Sequence, residues 1–179
     1  WCKRPKTLKE KETVAAEAIL TQRANWKNVV LAVENLERAG ILSMEKILTC
    51  GLANLELLIR PSGFYRLKAQ RLKVLAGFIV DECGGTEKAG GMFTEQLRKG
   101  LLSLKGIGEE TADDILLYAF ERPVFVIDEY TRRLAKELKL TDDFSYAHLQ
   151  QVFEQGLGRK NYALYQDFHA LIVIDGKVK

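Results

Sequence analysis

The chain has 179 residues, of which 47% are hydrophobic and 28% charged, and a formal net charge of +3. That length holds one domain or two small lobes around a real core, and no apolar run approaches the roughly 18 residues of a membrane span. The N-terminal stretch is too charged for a secretory signal, which points to a cytoplasmic protein. Cys2, Cys50 and Cys83 are scattered and odd in number. With His148 and His169 as the only histidines, these spacings assemble neither a disulfide framework nor a zinc cluster. The net charge is too mild to announce a nucleic-acid ligand by itself, and each local run of charge reads first as a solvated helix face.

Taken in chain order, the apolar period is helical almost everywhere. Helices are predicted over about Thr13 to Leu20, around Val29, Val33 and Leu36 with Gly40 as a C-terminal cap, and over Ser43 to Cys50 and Asn54 to Ile59. The next carries Leu67, Leu72, Leu75, Phe78 and Ile79 and ends at Gly84-Gly85. Further helices cover about Phe93 to Leu102, Glu110 to Ala119, Asp128 to Leu138, Ser145 to Gln155 and Asn161 to Val173, and only Val124 to Ile127 reads as extended. About ten short helices joined by short turns predict an all-α fold.

Between two of these helices stands Leu104-Lys105-Gly106-Ile107-Gly108. Two glycines around one apolar residue allow positive φ and close approach of another backbone, with Ile107 tucked under the turn. Such a turn also aims backbone N–H groups and the next helix N-terminus outward, which suits an anionic oxygen such as a DNA phosphate. An ordinary tight helix connection has the same pattern. Downstream, Glu121-Arg122-Pro123 breaks the helix and Val124-Phe125-Val126-Ile127 leads to Asp128 at the start of another. There the carboxylate can cap the helix, and capping keeps it ionised by bonding its charged form.

The run Leu104-Lys105-Gly106-Ile107-Gly108 with Thr111-Ala112, followed by Val126-Ile127-Asp128, resembles the helix-hairpin-helix and aspartate signature of the endonuclease III superfamily of DNA glycosylases. Ala18-Ile19-Leu20-Thr21-Gln22, Gly63-Phe64-Tyr65 with Lys68-Ala69, and Phe168-His169-Ala170-Leu171-Ile172-Val173 resemble three further family segments, so the likeness spans nearly the whole chain. It implies two helical lobes with a cleft between them, one of residues 8–124 and one of 125–179 with 1–7. It also implies a base-excision-repair enzyme that acts as a monomer on damaged double-stranded DNA, with Asp128 as catalytic carboxylate. Gln22 would fill the gap left by a flipped base, with Arg23 beside it on the backbone, and Lys105, Gly106, Ile107 and Gly108 would meet the DNA.

In family members that cleave the backbone, the position of Glu110 is a lysine that attacks the sugar and forms an imine. Glutamate cannot do so, and the resemblance therefore implies a monofunctional glycosylase without efficient lyase activity. The stretch from Lys105 to Ala119 looks most like the branch that removes alkylated purines such as 3-methyladenine. A cationic lesion of that kind is already a good leaving group and is attracted to aromatic faces, for which Trp1, Trp26, Phe64 and Tyr65 are the candidates. Core packing is the competing role for each of them. The chemistry requires no cofactor. In relatives, backbone carbonyls of the hairpin hold potassium or sodium, and the matching positions are Leu102, Leu104 and Ile107. The four cysteines that hold an iron–sulfur cluster in many relatives have no counterpart within residues 1–179. Two alternatives stand beside this reading: a glycosylase for uracil, mismatched thymine or oxidised bases, and a non-catalytic helix-hairpin-helix module that only binds DNA.

Overall fold

The computed structural model describes residues 4–158 and 160–178, and it is helical throughout, with no strand among the described residues. Helix α1 (Leu8–Leu20) opens with a reciprocal cap: Thr7 accepts the Glu10 N–H, and the Glu10 carboxylate accepts the Thr7 N–H at 2.8 Å. The cap carries α1 upstream of Thr13, where the apolar period alone placed its start. Asn25 and Ser43 cap α2 (Trp26–Arg38) and α3 (Met44–Thr49) with their side chains, and α4 (Leu52–Leu58) follows. Helix α5 (Tyr65–Gly77) runs on through a π-helical turn, Phe78–Glu82, before the chain turns at Gly84 and Gly85 with positive φ.

Helix α6 (Thr86–Gly91) is not predicted by the sequence pattern, because its residues carry no apolar period and two glycines. Contacts from elsewhere hold it: Thr86 Oγ1 donates to Glu12 Oε1 of α1 at 2.7 Å, and Arg122 donates to the Gly90 and Met92 carbonyls. Tertiary bonds here override a weak local propensity. Helix α7 (Thr94–Ser103) leads through the hairpin into α8 (Glu109–Asp114), which continues as a π-helical turn over Ile115–Ala119. Helices α9 (Glu129–Glu137), α10 (Tyr146–Leu157) and α11 (Tyr162–Val178) complete the chain.

Two buried apolar clusters form. One joins residues of α1 through α8, from Ala15 to Phe120, and the other joins Leu117, Tyr118, Phe125 to Ile127 and residues of α9, α10 and α11. The π-helical turn after α8 feeds both, with Ile115 and Leu116 in the first and Leu117 and Tyr118 in the second. Arg4 donates to the Ala163 carbonyl at 2.7 Å and pairs with Asp167 at 3.1 Å, so the segment before α1 lies on α11.

The stretch Val124 to Ile127 has no sheet to pair with, and α10 supplies its partners instead. Glu154 Oε1 accepts the Phe125 N–H at 2.9 Å, Gln150 Nε2 donates to the Phe125 carbonyl at 2.7 Å, and the Ile127 N–H points at the Tyr146 hydroxyl at 3.4 Å. Buried backbone groups are thereby satisfied without a strand. Gln150 also donates to Asp113, a fully buried carboxylate that receives Arg98 at 2.6 and 2.9 Å. Helices α7, α8 and α10 are tied at one point, and the chain leaving it arrives at Asp128.

Candidate active site

The hairpin between α7 and α8 turns on one glycine of positive φ rather than two. Gly106 has φ +92°, and the Arg71 side chain, Nε foremost, lies where a Cβ would stand. Gly108 is different: its φ of −94° and ψ of −177° are extended backbone, and an added Cβ would meet open space. Of the two glycines that allow positive φ, Gly106 alone adopts it. Ile107 is 5% exposed and packs in the first cluster, under the turn. Leu102 and Leu104 are half-buried at the edge of that cluster, and the Leu104 carbonyl accepts the Ile107 N–H at 3.1 Å. Lys105 is exposed.

Gln22 lies against this turn. Its amide donates to the Gly106 carbonyl at 3.2 Å and to Thr111 Oγ1 at 3.0 Å, while its carbonyl oxygen accepts from Arg71. The next residue, Arg23, is exposed with φ +50°. A β-branched side chain at Gly106 would meet both a forbidden φ and the Arg71 guanidinium. Gly106→Val is therefore expected to cost about 2–3 kcal/mol of stability, and Gly108→Val under about 1 kcal/mol, in urea unfolding. Equal losses at the two positions would contradict this account of the turn.

Asp128 caps α9, with Oδ1 accepting the Thr131 N–H at 2.7 Å. Its Oδ2 lies 3.6 Å from His169 Nε2 on α11, and the His169 Nδ1 is 2.8 Å from the Tyr118 hydroxyl. Burial alone would push the Asp128 carboxyl up, but His169 and the Thr131 N–H outweigh it and hold the group below the usual carboxylate range. The result is a fixed negative charge at a helix N-terminus, where the helix dipole also favours it.

Three further acids surround that charge. Glu110, Asp114 and Tyr118 recur every fourth residue and so share one face of α8 and its continuation, and α1 packs on both of these segments, with the charge of its Glu17 acting on Asp114. Burial raises the carboxyl of Glu17, and burial with the charge of Asp128 raises that of Glu110. Asp114 is pushed up to about 7, first by burial and then by Glu110, Asp128 and Glu17, with His169 opposing. The site thus holds one carboxylate kept ionised and one carboxyl that titrates near neutrality. Sequence reasoning assigned no role to Glu17, Asp114, Tyr118 or His169. The four-residue spacing of polar groups along an otherwise buried helix was the available signal.

The aromatic candidates are scattered. Trp26 starts α2 and is 46% exposed, Phe64 is 64% exposed with φ +45°, and Tyr65 is half-buried at the edge of the first cluster. Trp1 lies outside the described residues. Among the described residues no group of His, Cys, Asp and Glu is arranged to hold a metal ion, and no helix is long and apolar enough to cross a membrane.

A family model for HhH-GPD superfamily base excision DNA repair proteins matches residues 16–159. A protein of Methanocaldococcus jannaschii named as a candidate DNA repair glycosylase is 44% identical over 163 residues, covering 89% of this chain and 74% of that one. Among solved structures, the H. pylori 3-methyladenine DNA glycosylase bound to 1,N6-ethenoadenine is similar with a TM-score of 0.82 and 34% identity, over 94% of this chain and 85% of that one. A trapped endonuclease III–DNA covalent intermediate is similar in fold alone, with a TM-score of 0.69 and 21% identity over 85% of this chain and 68% of that one.

Proposed function

The chain belongs to the HhH-GPD superfamily of base excision DNA repair proteins and is a DNA N-glycosylase, and we propose that it excises alkylated purines such as 3-methyladenine from duplex DNA as a monofunctional monomer. The observation that carries this reading is the pairing of an ionised Asp128 with glutamate, not lysine, at position 110. Breaking the glycosidic bond sends the electron pair to the departing base and leaves oxocarbenium character on the deoxyribose. Asp128 stabilises that charge and orients the water that adds to the anomeric carbon. A cationic base departs neutral and needs no proton. The nucleotide must first leave the stack, at a cost of a few kcal/mol that is least at a damaged pair.

Gly106, Ile107, Gly108 and Lys105 would carry the phosphate backbone, with the open space over Gly108 giving a phosphate access to outward N–H groups. The carbonyls of Leu102, Leu104 and Ile107 would hold a potassium or sodium ion that adds positive charge there. For Gln22 to fill the vacated stack, it would exchange its bonds to Gly106, Thr111 and Arg71 for DNA contacts, with Arg23 on the backbone beside it. Trp26, Phe64 and Tyr65 remain the aromatic candidates for contact with the lesion, and Trp1 is the fourth.

Comparison of otherwise identical duplexes carrying 3-methyladenine, uracil, G·T, oxidised guanine or thymine glycol tests the substrate. The alkylated purine is expected to be excised fastest, and preference for any neutral lesion would overturn the choice. A second reading, excision of neutral bases, is favoured by Asp114, a carboxyl pushed up to about 7 and so still partly protonated at neutral pH, since a neutral leaving group requires a proton donor. Borohydride added during turnover is expected to trap no enzyme–DNA adduct, because Glu110 cannot form an imine. A strong trapped band on gels would show that some lysine acts as nucleophile.

A further inference from the structure

His169 is 4% exposed, and its Nε2 has no hydrogen-bond partner although it faces Asp128 Oδ2 at 3.6 Å. A buried ring nitrogen left this way needs an explanation. If Nε2 presented a lone pair, it would face a carboxylate oxygen, and the two would repel. If it carries a hydrogen, the same geometry is attractive and needs only a small closure to become a charge-assisted bond. The other ring nitrogen fits the second case: Nδ1 is 2.8 Å from the Tyr118 hydroxyl, whose one hydrogen can go to Nδ1 or to the Gln166 carbonyl at 3.3 Å, and the contact to Nδ1 is the shorter. The ring itself is fixed by Phe125, packed edge-on at 6.0 Å.

We propose that His169 is a positioning residue for Asp128: its Nε2–H is aimed at Oδ2 and, with the Thr131 N–H on Oδ1, fixes the rotation and the ionised state of the carboxylate. The chain Tyr118–His169–Asp128 links the face of α8 to α11 and to the start of α9. Asp128 then has one oxygen held by its own helix and the other by a residue far along the chain. The proposal rests on Asp128 being the catalytic carboxylate. Of the charged and titratable groups around the pair, Glu110 and Asp114 from α8 feel the charges of both its members and Tyr118 bonds His169, while Glu129 and Arg132 from α9 act on Glu110 and Glu17 from α1 acts on Asp114.

With only two histidines in the sequence, a long-range 1H–15N spectrum of the 15N-histidine-labelled protein resolves His169 from His148. His169 is expected to carry hydrogen on Nε2 at pH 7, and a ring protonated on Nδ1 alone overturns the proposal. In 13C-aspartate-labelled protein, His169→Leu is expected to move the Asp128 titration upward, and an unchanged titration overturns it as well. The single-turnover excision rate should fall on the order of 10²-fold in His169→Leu with DNA affinity retained, and His169→Gln, which keeps an N–H near the same place, should recover much of it. Equal rates in the two variants would mark His169 as packing only. The two spectra need no turnover, so they test the proposal even if Asp128→Asn proves active and the catalytic reading fails.

Discussion

Asp128→Asn is expected to fold and bind damaged duplex as the parent does and to lose excision by at least about 10²–10³-fold. The substitution separates the two roles of this side chain. As a cap, asparagine serves as well as aspartate, so its oxygen can still accept the Thr131 N–H and α9 keeps its start. As a charge, it is absent, and nothing then opposes the developing oxocarbenium ion. Glu110 does not replace it, since partial burial and the neighbouring Asp128 already raise its carboxyl, and it sits on another helix. Asp128→Ala is the control, losing the cap too and about 1 kcal/mol of stability with it. Single-turnover rates at saturating enzyme and fluorescence anisotropy on the same duplex make the comparison. A rate for Asp128→Asn near that of the parent would remove the electrostatic mechanism.

The hairpin and Asp128 were legible in the sequence because each is a local device. Gly106 marks a turn, and Asp128 marks a helix start after a proline break, whatever else the chain does. The acid cluster was not legible for the opposite reason. Glu17, Asp114 and His169 belong to α1, α8 and α11, and only the packing of those helices makes their charges act on one another. The same limit applied to α6, whose helix is set by Glu12 and Arg122 from outside it. The extended stretch before Asp128 was readable as extended from its branched and aromatic residues, but its partners on α10 were not, since side chains and not another strand complete its bonds.

Asp114→Asn is expected to stabilise the protein at neutral and alkaline pH, with the gain vanishing in acid. In the folded chain the carboxyl is pushed up to about 7 by burial and its acidic neighbours, whereas in the unfolded chain it returns to the ordinary value of 3.8. Between those values the folded state holds a proton that the unfolded state has released. The contribution of Asp114 to stability is therefore complete below about pH 4, falls as the pH rises to about 7, and levels off above it. Replacing the carboxyl with a neutral amide of the same shape removes that loss. A gain on the order of 2–4 kcal/mol at pH 8 follows, shrinking toward zero near pH 4. Urea unfolding of both proteins at several pH values reads the difference, and parallel stability curves would show that Asp114 does not titrate in this range. The excision rates of the same variant bear on the second reading of substrate. If Asp114 supplies a proton to a neutral leaving group, the amide slows removal of neutral bases more than removal of 3-methyladenine, and the stability gained is offset by activity lost at the same carboxyl.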